Sequence, residues 1–371
     1  MKKKIWMMLL CGALVCFPLG GCGINRADAD TGSVQSEAAS DHKTTKNSNA
    51  EYTSEVFAMD TYMTLTAYGE NAKEAVEAGI AEIQRLDALL STGDANSEVA
   101  QINQNGGGTL SEDTDYLVKR ALAIYQSTQG AFDISIYPVM QLWGFTTGDF
   151  AVPSKKDLAA KLALVNAGRI SLTEDNGVSS ITLPEGMEID LGGIAKGYTS
   201  GRVMEVMKRY GIESAVINLG GNAHVLGSKP DGSAWKVGIQ DPNDTNGYLG
   251  GVSVRDKAII TSGGYERYFV DEATGVKYHH IIDPKTGYSA NNGLISVTIV
   301  SADSTLADGL STSLFVLGTE DAIAYCEEHC AEDGFDAIME DEDGKLYITD
   351  GIMDDFINMN NTANIQEIKT K

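Results

Sequence analysis

The sequence predicts an α+β fold, on three observations. Apolar residues recur at helical spacing in some segments, while in others they alternate or run unbroken over five to seven residues, as strands do. No long Pro/Ser linker divides the roughly 300 residues of this patterned region, which suits a single large unit, built as one body or as two lobes. No strict internal repeat is present, which argues against a solenoid.

Taken in order, Tyr52 to Tyr68 alternates on either side of Met59-Asp60-Thr61 and reads as a β-hairpin. Val76, Ile80, Ile83, Leu86 and Leu90 form a helical stripe from Ala72 to Leu90, and Tyr116 to Gln129 repeats the pattern with Gly130 as its stop. Such stripes are core. Strands are expected at Ser179 to Leu183, Ser214 to Leu219, Trp235 to Gln240, Lys257 to Thr261, Tyr278 to Ile282 and Leu294 to Val300, with helices from Ile194 to Tyr210 and Asp321 to Ala331. Asp341-Glu342-Asp343-Gly344-Lys345 lacks the remaining ligands of a calcium loop and reads as a hairpin turn.

The N-terminus carries an address rather than a fold. Met1-Lys2-Lys3-Lys4 precedes an apolar run from Ile5 to Leu19, which meets Leu19-Gly20-Gly21-Cys22. A basic start, a short apolar segment and small residues abutting a cysteine are the pattern of a lipoprotein leader over residues 1–21, with Cys22 the lipidated first residue of the mature chain. Residues 22–51 are rich in Ser, Thr, Asp, Asn, Ala and Lys and are expected to form a flexible tether spanning on the order of 30 Å. The catalytic domain would then be 52–360, with 361–371 as a C-terminal tail. This organisation implies a bacterial lipoprotein anchored in the cell membrane on its extracytoplasmic face.

The formal charge is −24, and removal of Lys2, Lys3 and Lys4 with the leader brings it to −27, from 25 basic and 52 acidic residues. That charge argues against nucleic acid or anionic headgroups as partners. Cys326 and Cys330 remain in the processed chain beside the lipidated Cys22. Four apart on a helix with no second pair, they read as thiols rather than a metal site or a disulfide.

Candidate chemistry concentrates between His279 and Thr312. His279-His280-Ile281-Ile282-Asp283-Pro284-Lys285-Thr286-Gly287 puts two histidines on adjacent strand positions before a tight turn, so only one can face a site. Asp308 and Thr312 lie four apart at the head of an apolar helical run, so their oxygens project from one face. Two such oxygens are too few for a calcium cage but suit Mg²⁺, which keeps waters and takes ligands from substrate phosphates. Upstream, Asp190-Leu191-Gly192-Gly193-Ile194-Ala195-Lys196-Gly197 opens a helix with glycines that let a backbone approach a ligand, and free N–H groups there favour phosphate. A packing turn explains the glycines equally well; the flanking Asp190 and Lys196 favour a ligand loop. Asn218-Leu219-Gly220-Gly221-Asn222 reads as main chain against a ligand or as a bulge or strand crossing, and His224 as structural.

These segments, with Ala58-Met59-Asp60-Thr61, Gly130-Ala131-Phe132-Asp133 and Thr261-Ser262-Gly263-Gly264-Tyr265-Glu266-Arg267, occur in the order found in the FAD:protein FMN transferases. From about residue 52 to 350 the chain resembles that family, the ApbE flavin-attaching lipoproteins. The resemblance implies a single large domain of mixed β-sheet with packed helices. It also implies transfer of FMN from FAD to a threonine or serine hydroxyl of an acceptor protein, a membrane-associated redox protein, with release of AMP. By the same carry-over, Mg²⁺ would be held by Asp308, Thr312 and the Gly193 carbonyl. Met59, Ala131, Phe132, Asp133, Asp190, Lys196, Ile281 and Ile282 would line the FAD site. His280 matches the histidine implicated in the chemistry, so His280 and Asp308 are the catalytic candidates.

One departure stands out: Gly93 follows Ser91-Thr92 where family members often carry a tyrosine beside the flavin. Two other readings compete with transfer. One is an Mg²⁺-dependent FAD pyrophosphatase giving FMN and AMP, and the other a non-enzymatic FAD-binding lipoprotein.

Overall fold

In the computed structural model the described residues are 50–244, 246–359 and 364–371. The leader, Cys22 and nearly all of the expected tether lie outside them. The described part opens with the hairpin of Glu51–Ala58 and Thr61–Tyr68, paired antiparallel from Glu51↔Tyr68 to Ala58↔Thr61. Met59 and Asp60 form its two-residue turn with φ of 48° and 60°. Two consecutive left-handed residues make the turn that matches strand twist, although neither is the Gly or Asn that usually occupies it. A bulky residue held there is a strained position, which structures tend to keep near functional sites.

The eight α-helices among the described residues are α1 (Ala72–Leu90), α2 (Glu98–Asn105), α3 (Glu112–Ser127), α4 (Tyr137–Trp143), α5 (Lys155–Leu162), α6 (Gly192–Arg209), α7 (Ser304–Leu317) and α8 (Thr319–Asp333). A nine-stranded sheet runs in the order Glu51–Ala58, Thr61–Tyr68, Ser214–Leu219, Asn222–Gly227, Ala258–Gly263, Leu294–Ser301, Phe335–Asp341, Leu346–Thr349, Ile365–Ile368. Its pairs are antiparallel except the last, where Leu346–Thr349 and Ile365–Ile368 run parallel, so the sheet is mixed. The expected α+β class therefore holds.

The segment set apart as a tail at 361–371 is corrected by this last strand. Ile365-Gln366-Glu367-Ile368 is too short to show a strand period in sequence. Pairing with a buried neighbour completes it, with Ile368 in the core.

Helices cover one face of the sheet. Val76, Ile83 and Leu86 of α1, Val203 and Met207 of α6, and Leu310 and Leu314 of α7 are fully or nearly fully buried there, against Met63, Leu65, Ile217, Val297 and Ile299 of the sheet. On the other face, Val216, Val225, Ile259, Val300 and Ile338 pack against a second, three-stranded sheet of Trp235–Gln240, Tyr248–Val254 and Phe356–Asn358. An aromatic satellite of Trp143, Phe145, Phe150, Phe269, Tyr278 and Tyr288 closes around Ile282, with Trp143 Nε1 donating to the Gly287 carbonyl at 2.8 Å.

Several boundaries differ from expectation for physical reasons. The strand expected over Tyr278 to Ile282 covers only Lys277–His279, because its partner Tyr268–Val270 is three residues long and the chain then enters the Asp283-Pro284 turn. The helix carrying Asp308 begins four residues earlier, at Ser304, where the Asp303 side chain accepts from the Leu306 N–H. Cys326 and Cys330 are buried free thiols on α8. No helix of the described residues is long and apolar enough to cross a membrane.

Candidate active site

Asp308 lies on the second turn of α7, 5% exposed, where that helix crosses α6. Its Oδ2 accepts the Gly197 N–H at 2.7 Å and its Oδ1 accepts from Asn222 Nδ2 at 3.1 Å. A carboxylate oxygen has capacity beyond one hydrogen bond, so both remain able to meet a cation. The Gly197 N–H is also the one that in a regular helix closes on the Gly193 carbonyl. Donation to Asp308 leaves that carbonyl with acceptor capacity of its own. Burial raises the Asp308 pKa to about 6, against the lowering pull of Lys196 and the N–H donors. A carboxylate desolvated to that degree is one that a divalent cation would stabilise.

Thr312, one turn further and half-buried, has its hydroxyl 3.4 Å from Ser262 Oγ, which also bonds Ser311 Oγ at 2.8 Å. No group of three or more His, Cys, Asp or Glu among the described residues can hold a metal. A carboxylate, a hydroxyl and a carbonyl are hard oxygen donors without the makings of a full cage. This donor set fits Mg²⁺, which would complete its shell with water and phosphate.

Gly193 stands at the start of α6 with the Phe132 ring against it; a Cβ there would lie 3.0 Å from Phe132 Cε2. The open N–H groups expected at this helix start are partly used within the fold, since Asp190 Oδ1 accepts the Gly192 N–H at 2.8 Å. Lys196, half-buried on the first turns of α6, has no ion-pair partner among the described residues, yet its charge is felt at Asp308, Glu266 and His280.

His280 leaves the short strand with its N–H and its Nδ1 both directed at the Arg267 carbonyl, at 3.0 and 3.2 Å. A carbonyl only accepts, so Nδ1 carries the proton and Nε2 keeps its lone pair. Burial, then the positive charge of Arg267, depresses its pKa to about 3. His279 is the structural member of the pair: its Nε2 donates to the Ala290 carbonyl at 2.8 Å and its ring stands edge-on to Phe315.

Asp190, Glu266 and His280 keep solvent-accessible surface, yet each titrates as a desolvated group. Each is thus a surface group closely surrounded by protein. Glu266, raised to about 7 by burial and then by the nearby Asp308 against the pull of Lys196, was not singled out by sequence. Neither was Asn222. It lies where a Gly220-Gly221 hairpin turn, with φ of 66° and 99°, brings it back antiparallel to Leu219, a regular turn where a bulge or strand crossing was one of the two expectations. Cavity size does not locate the site: a roomy groove between α3 and α6, lined by Tyr116, Arg120, Tyr198 and His224, contains none of the expected residues.

The other expected residues are distributed unevenly. Met59 receives the Thr199 hydroxyl on its sulfur at 3.7 Å, and Asp60 beside it is electrostatically coupled to Asp190, so the hairpin tip reaches the site. Asp133 spends both carboxylate oxygens inside the fold, on Ser135 and on the Ala167 N–H, and is raised by burial. Ala131 opens onto a surface groove with Asp283, Lys285 and Thr319. Ile281 joins the main core while Ile282 faces the aromatic satellite, so these neighbours point apart. Gly93 is exposed, its N–H on Ser91 Oγ. His224 is structural, buried against Ser200 Oγ at 3.0 Å and depressed to about 4 by desolvation.

Known proteins resemble this chain in sequence and fold. The model of the ApbE family matches residues 59–339. A FAD:protein FMN transferase of Klebsiella pneumoniae is 38% identical over 246 residues, 65% of this chain and 75% of that protein. One of Treponema pallidum is 32% identical over 324 residues, 82% of this chain and 88% of its own length. Among solved structures, the ApbE protein of Thermotoga maritima superposes with a TM-score of 0.75 at 31% identity, covering 81% of this chain and 98% of that one. The flavin transferase ApbE of Vibrio cholerae gives 0.70 at 29%, covering 81% and 97%. With a family match across most of its length and relatives that align over most of theirs, this chain belongs to the ApbE family.

Proposed function

We propose that this protein transfers FMN from FAD to a threonine or serine hydroxyl of an acceptor protein, with Mg²⁺, and that Cys22 tethers it by lipid to the extracytoplasmic face of the membrane. The observation that carries the reading is the electrostatic proximity of Lys196 to Asp308, Glu266 and His280, in a chain whose relatives are named for this reaction.

Mg²⁺ held by Asp308, Thr312 and the Gly193 carbonyl would neutralise charge on the pyrophosphate and on the departing AMP. The unpaired Lys196 ammonium is placed to meet phosphate oxygens, offsetting the repulsion that a chain of net charge −24 exerts on a dianion. The acceptor hydroxyl attacks the FMN-side phosphorus, forming a P–O bond to the protein, and the anhydride P–O bond breaks with its oxygen leaving on AMP. His280 Nε2 takes the hydroxyl proton. Arg267 positions that imidazole through its carbonyl, and its guanidinium is in turn anchored on the Phe145 carbonyl.

His280 is neutral at any pH above about 3, so its titration imposes no acid limb on activity between pH 5 and 9. A His280→Ala protein is expected to transfer FMN roughly 10²- to 10⁴-fold more slowly with FAD affinity little changed. Steady-state rates and flavin fluorescence titration check both.

The direct test incubates the full-length protein in detergent with FAD, Mg²⁺ and a redox protein bearing a Ser/Thr-Gly-Ala-Thr-like segment, followed by mass spectrometry. Acceptor heavier by one FMN phosphoester is the expected result. Free FMN and AMP beside unmodified acceptor would make it a pyrophosphatase, and intact FAD throughout would make it a binding protein.

A further inference from the structure

The largest exposed hydrophobic side chains of the described residues include two that face each other. Phe57 is 61% exposed and Tyr62 58%, their rings edge-to-face with centroids 5.0 Å apart, at cross-strand positions of the first hairpin. Exposed aromatics cost solubility, and an edge strand with apolar side chains invites pairing with other chains, so their retention in one spot asks for an occupant. Position indicates which. The pair brackets Ala58-Met59-Asp60-Thr61, whose Met59 touches Thr199 of α6, one helical turn from Lys196, and whose Asp60 is coupled to Asp190. Thr61 packs directly on Gly220 of the turn that delivers Asn222 to Asp308. The aromatic pair is therefore continuous with the rim of the site.

Two further features narrow the occupant. Among the described residues Glu51–Ala58 is the terminal strand of the nine-stranded sheet, so its outer edge offers backbone N–H and C=O groups to an added extended segment. Glu55, two positions before Phe57, and Asp60, two before Tyr62, are exposed beside the aromatic pair. An acidic frame around an apolar centre complements a partner with an apolar side chain flanked by Lys or Arg.

We infer that Phe57, Tyr62 and the free edge of Glu51–Ala58 form the dock for the acceptor protein, which lays an extended segment with an apolar residue and flanking basic residues along this edge. This rests on the transferase reading, since it is that reaction which requires a second protein at the site. Pairing along the strand would deliver the end of the segment to the Met59-Asp60 turn, where the hydroxyl is needed. Affinity for acceptor then resides outside the flavin site, and the two substrates are recognised by separable surfaces.

The test compares Phe57→Ser and Tyr62→Ser, singly and together, in the full-length protein with the acceptor probe described above. Both side chains are exposed, so folding is expected to be unaffected and is checked by thermal melting. The dock predicts that the double variant raises the KM for acceptor at least about tenfold, with kcat at saturating acceptor and the Kd for FAD within about twofold of wild type. It also predicts that the KM for acceptor rises with salt in the wild type. An unchanged KM overturns the dock, as does a fall in FAD affinity large enough to account for the lost rate. If sedimentation shows that the variants dissolve a dimer while the KM stays constant, the patch pairs copies of this chain and the inference falls. Calorimetric binding of acceptor to the Asp308→Ala protein, which needs no turnover, separates the dock from the transferase reading: weakened binding on Phe57→Ser and Tyr62→Ser supports the dock even where no FMN is transferred, and equal binding overturns it.

Discussion

The Asp308→Ala protein is expected to bind FAD but to place no measurable FMN on an acceptor, a loss on the order of 10³ or more in rate, or about 4 kcal/mol of transition-state stabilisation. Loss of the fold would not explain this. Removing the carboxylate leaves the Gly197 N–H and the Asn222 amide without their acceptor, each costing roughly 1–3 kcal/mol, but it also removes a desolvated acid whose pKa has been pushed to about 6. The two effects oppose, so the metal-free melting temperature should move little. What should vanish is the rise in melting temperature on adding Mg²⁺, a readout independent of turnover.

The pH dependence has a definite sign. An Asp308 carboxyl raised from an ordinary value near 4 holds its proton in the folded state after the unfolded chain has released it. Metal-free stability therefore falls as pH rises through roughly 4 to 6. Mg²⁺ binds only the ionised form, so its apparent affinity should weaken about tenfold per pH unit below about 6 and level off above. Calorimetric titration at several pH values checks it, and a flat profile would remove Asp308 from the metal site.

Much of this was legible in the sequence because local pattern and tertiary packing agree. Ala72–Leu90, Ser214–Leu219 and Trp235–Gln240 were expected with the bounds observed, the first and last having a period that the buried face reproduces and the second an apolar stretch buried through most of its length. The strands Gly107–Thr109, Ser171–Asp175 and Ile365–Ile368 were not foreseen, since three to five mostly polar residues carry no period and become strands only when a neighbour supplies the pairing. The same limit applies to the site. Asp308 and Lys196 stand out by residue type and setting, whereas Gly193 and His280 become candidates only through the family resemblance. Asn222 and Glu266 depend on which turn folds over which helix, and nothing local distinguishes them. Asp133 shows the converse: a carboxylate within a recognisable motif whose hydrogen bonds are spent holding its own loop.

Gly197→Ala is expected to damage both the fold and the metal site, although alanine is the better helix former by roughly 1 kcal/mol. A Cβ at this position would lie 2.2 Å from the Ser304 carbonyl oxygen and 2.5 Å from Asp308 Cβ, at the crossing of α6 and α7. Both neighbours belong to a helix backbone or its first side-chain atom, so neither can rotate away, and ordinary contact distances require the helices to part by roughly 1 Å. The Gly197 carbonyl also accepts from Ser304 of α7 at 2.7 Å, so parting strains a bond that ties the crossing together. The cost should be about 1–3 kcal/mol or more in stability. The same displacement carries Asp308 away from the Gly193 carbonyl one turn back on α6, so the Mg²⁺-dependent rise in melting temperature should shrink along with the transfer rate. Gly201→Ala is the control, one turn further along α6, where a Cβ would meet only the Ser304 hydroxyl, at 3.0 Å, and no backbone atom. A shift of a few tenths of an ångström relieves that contact with the Ser304–Gly197 bond kept, so the variant should melt within a few degrees of wild type and keep its Mg²⁺ response. If Gly197→Ala behaved as that control does, close approach of α6 to α7 could not be what sets the geometry of the metal ligands.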